Sequence, residues 1–174
     1  MKFTLMCQPL IERIEKSLTR LLDEAVASEK SKIYINVVSE VKAFVKSFKV
    51  FLGTLRTLEE LYPDLKSGRM CFKWIYAEND NAVSLVRLES GLSMIYTGEY
   101  IKITYNDKVL TLYEIPRLSV VINQYSDTIN LDNEDEVVAK RSSLLDVLNS
   151  IKTQVEKATE NLSICIKYVK LRIS

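Results

Sequence analysis

Apolar residues recur at intervals of seven between residues 34 and 62, in two series that run side by side. The two series are Val37, Phe44, Phe51 and Leu58, and Tyr34, Val41, Phe48, Leu55 and Tyr62. This spacing places them on one face of an α-helix and predicts a long helix from about Ile33 to Leu61. Gly53 costs about 1 kcal/mol in a helix interior, so a break there is the alternative to the continuous helix that we favour. Pro63 ends the segment because the residue before a proline disfavours helical geometry.

Helical spacing also marks two other segments. Pro9 suits the first turn of a helix, and the apolar residues that follow predict helix one from about Pro9 to Ser28. A third helix is expected to begin near Glu136 and to carry an apolar stripe of its own. Residues 163–174 suit a helical period and a strand period. We favour a helix there, with a final strand as the alternative.

Between the second and third helices the apolar period changes to two. Six short segments alternate in this way and predict strands: MCFKWIY, VSLVRLE, LSMIYTG, YIKITY, KVLTLYEI and LSVVIN. They are separated by turn residues, and we expect an antiparallel meander of four to six strands with one covered face. Pro116 is expected to kink the chain before an edge strand.

The best hairpin in this region joins YIKITY to KVLTLY through a two-residue turn, Asn106-Asp107. The predicted register places Tyr105 opposite Lys108, Ile103 opposite Leu110, and Ile101 opposite Leu112. One face of the hairpin is then apolar. On the other face Tyr100 lies opposite Tyr113, and this pair is a candidate for an exposed contact surface.

Taken together, these elements predict an α+β fold. Its long antiparallel helices form a three-helix bundle or a coiled-coil arm, and a small antiparallel β-meander is inserted between the second and last helix. With 174 residues, 47% of them hydrophobic, the chain suits one domain or one domain with a helical extension. We expect residues 1–65 and 134–174 in the helical bundle, residues 66–125 in the inserted β domain, and an acidic linker over 126–134.

The apolar face of the second helix is wider than a seam between two helices requires, since Val38, Val45 and Leu52 add a third series. Helix one fills the additional width in the interpretation that we favour, and a second subunit fills it in the alternative. The candidate partner interface consists of Val37, Val38, Phe44, Val45, Phe51 and Leu52.

Basic residues on the same helix suggest a second kind of surface. Lys42, Lys46, Lys49 and Arg56 recur at helical spacing, and we expect them to lie opposite the apolar stripe. Together with the tail residues Lys167, Lys170 and Arg172 they are candidates for contacts with nucleic-acid phosphates. A solvated basic face is the plainer interpretation.

Acidic residues cluster at Asp127, Asp132, Glu134, Asp135 and Glu136, but without the ligand alternation and glycine of a calcium loop. We interpret them as a linker that feeds a helix N-terminus, where acids are favourable.

Composition argues against most catalytic chemistry. The chain has no histidine, its four glycines form no phosphate-binding loop, and its three cysteines are too far apart for a zinc site or a disulfide framework. We expect no enzyme, no cofactor and no metal. We interpret the cysteines as small buried hydrophobes in a reducing compartment, which predicts a cytoplasmic protein. The net charge of +1 and the lack of a long apolar stretch predict no membrane partner.

The sequence therefore predicts a non-enzymatic interaction or assembly subunit that oligomerises or binds a protein partner through its long amphipathic helices. The alternative function is nucleic-acid binding, as a small subunit of a nucleoprotein complex that uses the basic face of the second helix.

Overall fold

The structure is a computed structural model that describes residues 3–61, 67–70, 73–79, 84–88, 90–123 and 128–173. The helices are α1 (Phe3–Ala27), α2 (Lys32–Leu61), α3 (Glu134–Ala139) and α4 (Arg141–Ile173). The strands are β1 (Ser67–Met70), β2 (Lys73–Asn79), β3 (Ser84–Leu88), β4 (Ser93–Tyr96), β5 (Tyr100–Tyr105), β6 (Lys108–Tyr113), β7 (Ser119–Ile122) and β8 (Thr128–Asn130). The order of long helices, antiparallel sheet and last helices confirms the predicted α+β class.

Helix α1 begins at Phe3, so the prediction that Pro9 occupies its first turn is wrong. The residues before Pro9 extend the buried row of the helix, because Phe3, Thr4 and Cys7 continue the spacing of Leu10 and are all buried. Pro9 itself is exposed. Apolar burial on one side of the helix therefore outweighs the hydrogen bond that Pro9 cannot donate.

A hydrogen-bonded turn ends α1 and leads directly into α2. The N–H of Lys30 donates to Ala25 O at 3.0 Å and the N–H of Glu29 donates to Val26 O at 3.2 Å, with Glu29 at a φ of 53°. This is the Schellman arrangement, which usually has glycine at the left-handed position. Ser31 then caps α2, since its Oγ accepts from the N–H of Tyr34 at 3.2 Å.

The prediction of one continuous second helix is confirmed. Helix α2 runs from Lys32 to Leu61 without a break at Gly53, which lies on the exposed side with no neighbouring atom within 4 Å of a Cβ placed there. Tyr62 and Pro63, which were expected to end the helix, lie outside the described residues.

Helices α1 and α4 both pack against α2 but run in opposite directions. Thr4 bonds to Glu59, and Glu15 pairs with Lys49, so α1 is antiparallel to α2. At the start of α2, Ser31 N–H donates to Glu134 at 2.9 Å.

Farther along, Ser47 Oγ donates to Glu156 of α4 at 3.2 Å. Helix α4 therefore runs parallel to α2, and the prediction that the second and last long helices are antiparallel is wrong. The sheet between them explains the direction, because it returns the chain from the end of α2 to its beginning.

The sheet has eight antiparallel strands in chain order, from β1 to β8. The predicted β5–β6 register is confirmed at every pair, including Tyr100 opposite Tyr113. Strands β1 and β8 were not predicted, and β8 lies within the segment 126–134 that was expected to be a linker. Because β8 pairs with β7, the strand that follows Pro116 is internal, and the prediction of an edge strand there is wrong.

A single hydrophobic cluster joins the helices to one face of the sheet. From the central hairpin it includes Ile101, Ile103, Leu110 and Leu112. Helix α1 contacts β3 and β4, whereas α4 contacts β5, β6 and β7, so the two helices cover different parts of the same sheet. The opposite face is not fully open, since Thr111 on that face is buried.

Two other predictions concern the last helix and the cysteines. Helix α4 continues to Ile173, so the strand alternative for the tail is wrong. Cys7 is free and buried, whereas Cys165 is disulfide-bonded, contrary to the expectation that the cysteines form no disulfide. Cys71 lies outside the described residues.

Candidate functional site

The apolar stripe predicted as a partner interface lies inside the chain's own core. Each of its six residues is 0 or 1% exposed: Val37, Val38, Phe44, Val45, Phe51 and Leu52. The stripe is covered because α2 packs against both α1 and α4. In the folded chain these side chains offer no surface to a second protein.

Among the basic residues of α2, Lys49 lies beside the stripe rather than opposite it, whereas Lys46 and Arg56 are exposed. Lys49 Nζ pairs with Glu15 Oε1 at 3.0 Å across the seam between α1 and α2. Arg56 Nε lies 3.5 Å from Glu60 Oε1 on the same helix. Two of the four phosphate contacts predicted on α2 are therefore already engaged with carboxylates of the same chain.

The other predicted phosphate contacts are not brought into one patch by any contact within the described residues. Lys46 is exposed and Lys42 is half-buried on α2, and neither has an ion-pair partner in the described part of the chain. Lys167 and Lys170 are exposed on α4. The side chain of Arg172 lies outside the described residues.

The acidic segment has a structural role at two helix starts. Asn133 caps α3 by accepting from the N–H of Glu136 at 3.1 Å, and Glu134 accepts the N–H of Ser31 at the start of α2. Negative charge is favourable at both positions because of the helix dipole. Asp127 lies outside the described residues, and no group of residues suited to hold a metal ion is found among those that are described.

A groove of about 620 Å³ lies between α1 and one end of the sheet. We call it the α1 groove. Its lining comes from α1, from the β4–β5 turn, from the β6–β7 connection, and from strands β6, β7 and β8. The lining residues are Leu10, Arg13, Gly98, Glu99, Tyr113, Glu114, Ile115, Pro116, Arg117, Ser119, Thr128 and Asn130.

The β6–β7 connection presents apolar surface to this groove and is held to α1 by an ion pair. Ile115 is 74% exposed, the second-highest value among the large hydrophobic residues of the described chain. Beside it, Arg13 Nε donates to Glu114 Oε2 at 2.8 Å. The ion pair fixes the connection against α1 while leaving Ile115 uncovered.

Tyr113 forms a wall of the groove and packs on Tyr100 of the neighbouring strand. Their ring centroids are 5.2 Å apart and the rings are tilted by 47°. Burial, followed by the proximity of Tyr100 and Glu99, raises the pKa of the Tyr113 hydroxyl. At neutral pH this hydroxyl is therefore protonated and can donate a hydrogen bond.

Strand β8 borders the groove and presents backbone groups at its outer edge. The N–H of Leu131 donates to Leu118 O at 3.0 Å, so Leu118 and Leu131 are a hydrogen-bonded pair of the β7–β8 ladder. Because bonded and non-bonded pairs alternate, the backbone groups of Thr128 and Asn130 point away from β7. Asn130 O accepts from Asn133 N–H at 3.1 Å.

This leaves Thr128 N–H and C=O and Asn130 N–H directed outward. No strand of the described chain pairs with this edge.

These groups are suited to binding rather than to acid–base or nucleophilic chemistry. Arg13 and Glu114 are occupied with each other, and Tyr113 is held protonated. What the groove offers a ligand is apolar area, a hydroxyl donor and a short run of backbone donors and acceptors.

The sequence pattern does not predict the groove, because the residues that line it come from distant parts of the chain. Tyr113 alone was anticipated, as one half of the tyrosine pair. Ile115 belonged to the predicted strand KVLTLYEI but lies beyond the end of β6, and Pro116 beside it was the sequence signal for a connection there.

Comparisons of the chain with protein-family models, curated proteins and solved structures find no match. Among the helices that the structure describes, none combines the length and the apolar character that a membrane span requires.

Proposed function

We propose that this protein is a non-enzymatic interaction subunit that binds an extended segment of a partner protein in the α1 groove. The observation that carries the proposal is the exposed, apolar β6–β7 connection beside the open edge of β8. The proposal keeps the protein-binding role expected from the sequence but moves the contact surface from α2 to the groove. The move is required because the stripe on α2 is covered by the chain itself.

An extended partner segment suits the groove for two physical reasons. Its backbone can bond to the outward groups of Thr128 and Asn130 and so add a strand to the sheet, which provides affinity that does not depend on sequence. Alternate side chains of that strand would point to the same side and could pack on Ile115 and Tyr113. Burial of apolar area contributes roughly 25 cal/mol per Å², so the exposed isoleucine is the natural anchor.

The sharpest test replaces the anchor without disturbing the core. A random peptide library displayed on phage is selected against the wild-type protein, and the recovered peptides are assayed against Ile115→Asp and Val50→Asp. Val50 is the matched control because it is an apolar, β-branched residue of α2 that is 61% exposed and is not part of the groove lining.

We expect Ile115→Asp to weaken binding at least tenfold, about 1.4 kcal/mol, and Val50→Asp to leave it unchanged. In amide NMR spectra, the peptides should shift the signals of Gly98, Thr128 and Asn130. Peptides that bind both variants as tightly as the wild type would contradict the proposal. Peptide binding with no perturbation at β8 would contradict the strand-addition part of it.

Nucleic-acid binding is the second candidate. It is supported by Lys42 and Lys46, which lack ion-pair partners in the described part of the chain. The test is the double charge reversal Lys42→Glu/Lys46→Glu, with Lys49 left intact because it holds α1 through Glu15. If the candidate is correct, salt-dependent binding to single- or double-stranded DNA or RNA is lost while the melting temperature changes little. Equal retention of wild type and variant on the nucleic acid would remove this candidate.

A further inference from the structure

A buried polar cluster joins the first turns of α1 to the last turns of α2. Thr4 and Cys7 are fully buried, and Glu59 is 5% exposed. Thr4 Oγ1 donates to Glu59 Oε2 at 2.6 Å. The other carboxyl oxygen, Glu59 Oε1, has no hydrogen-bond partner within the described residues. A carboxyl group with only one of its two oxygens satisfied is a costly group to keep ionised inside a protein.

The surroundings of Glu59 favour its neutral form. Burial is the largest influence and raises the pKa of the carboxyl, while hydrogen bonds from Thr4 and the positive charges of the amino terminus and Arg56 act in the opposite direction. From α1, the Cys7 thiol faces the same carboxyl, and burial followed by the charge of Glu59 raises the pKa of that thiol. Arg56 forms its ion pair with Glu60 on the same helix, and no ion pair joins it to Glu59 within the described residues.

The part of α1 that contacts Glu59 lies before a gap in the hydrogen-bond ladder of the helix. Pro9 lies inside the helix and has no N–H, so the carbonyl of Leu5 receives no bond from it. We call residues 3–8 the N-terminal segment. Its tertiary contacts include the burial of Phe3 and Cys7 and the bond between Thr4 and Glu59.

We propose that the N-terminal segment is a pH-gated strap, which is docked on α2 while Glu59 is protonated and is released when Glu59 ionises. Release would uncover the Cys7 thiol and the end of α2 that the segment covers. This inference is independent of the α1 groove and holds whether or not the groove binds a partner.

The direction of the pH dependence follows from linkage. Because the pKa of Glu59 is raised above its ordinary 4.5 in the docked state, docking is fully favoured below that value. As pH rises from 4.5 towards the raised pKa, the undocked state, which binds fewer protons, becomes progressively more populated. Each unit by which the pKa is raised changes the opening equilibrium about tenfold.

Hydrogen exchange of the whole chain, followed by mass spectrometry, measures this opening directly. The wild type is compared with Glu59→Gln at the same pH, once at about pH 4 and once at about pH 8, so that the intrinsic pH dependence of exchange cancels. Glu60→Gln is the matched control, because Glu60 is the adjacent residue but is exposed.

At about pH 8, we expect amides of residues 3–8 to exchange several-fold faster in the wild type than in Glu59→Gln, with no difference at about pH 4. Glu60→Gln should behave as the wild type. Alkylation of Cys7, located by peptide mapping, should be slower in Glu59→Gln than in the wild type at the higher pH. Thr4→Val provides a second variant, in which Glu59 loses its hydroxyl donor. In this variant the segment should open at a lower pH than it does in the wild type.

Two outcomes would overturn the proposal. The first is equal exchange of residues 3–8 in the wild type and Glu59→Gln at both pH values. The second is a pH-dependent difference spread evenly over α1, α2 and α4, because ionisation of Glu59 would then weaken the whole fold rather than release one segment.

Discussion

Truncation of Phe48 to alanine is the perturbation that best tests whether the stripe on α2 belongs to the chain's own core. Phe48 is fully buried. Its ring stacks between two others, with centroids 6.3 Å from Phe44 and 6.0 Å from Phe51 and interplanar angles of 8° and 20°. The substitution therefore removes one complete side chain from the core together with both of its ring contacts.

The expected loss follows from these contacts. Truncation of a buried phenylalanine typically costs about 3–5 kcal/mol, which includes the cavity that remains. Each aromatic pair adds about 0.5–1.5 kcal/mol beyond area burial, so the two pairs of Phe48 place the loss towards the upper end. A domain is stable by about 5–15 kcal/mol, and the variant should retain only part of that free energy of unfolding.

Urea unfolding followed by circular dichroism, at two well-separated protein concentrations, is the assay. Val50→Ala is the control on the same helix, and because Val50 is exposed it should change the free energy of unfolding by no more than about 0.5 kcal/mol. A loss below about 1 kcal/mol in Phe48→Ala would refute the packing argument. A wild-type midpoint that rises with protein concentration would show that a second chain shares the stripe.

Two smaller predictions concern the turn between α1 and α2. Glu29→Gly should stabilise the protein by about 1 kcal/mol, because glycine adopts the left-handed φ of 53° without the steric cost of a side chain; Glu29→Ala should give no such gain in melting temperature. Ser31→Ala should cost about 1 kcal/mol in urea unfolding through loss of the cap on Tyr34, and Ser31→Thr should recover most of it. A Glu29→Gly variant no more stable than the wild type would contradict the first assignment. A Ser31→Ala variant as stable as Ser31→Thr would contradict the second.

The features that the sequence predicted well are those fixed by neighbouring residues. The β5–β6 hairpin has the predicted register because Asn106 accepts the left-handed conformation of a two-residue turn, with a φ of 53°, and because alternation leaves one consistent apolar face. The unbroken α2 was predictable for the same reason, since its heptad series continues on both sides of Gly53.

The features that the pattern did not reveal depend on distant segments. Strand β8 has three residues, of which only Ile129 is buried, and three residues carry no recognisable period. The α1 groove needs β8, α1 and the β6–β7 connection together. The early start of α1 depends on the burial of Phe3 and Cys7. The sequence around Pro9 indicates a first turn at Pro9 and does not reveal that burial.

The direction of α4 and the number of strands are linked, and both follow from the distance that the chain has to return. Helix α2 has 30 residues and is about 45 Å long at 1.5 Å per residue. Strand β1 follows soon after the end of α2. Strand β8 leads instead to Leu131, whose carbonyl accepts a hydrogen bond from Tyr34 at the start of α2.

Neighbouring strands lie about 4.8 Å apart, so the seven steps of an eight-stranded meander cover roughly 34 Å. The six predicted strands would cover only about 24 Å and would leave the chain well short of the start of α2, where a parallel last helix has to begin. The two strands missed in the sequence therefore account for the helix direction that was predicted incorrectly. A heptad pattern indicates which face of a helix is buried, but the length of the intervening sheet determines which way the next helix runs.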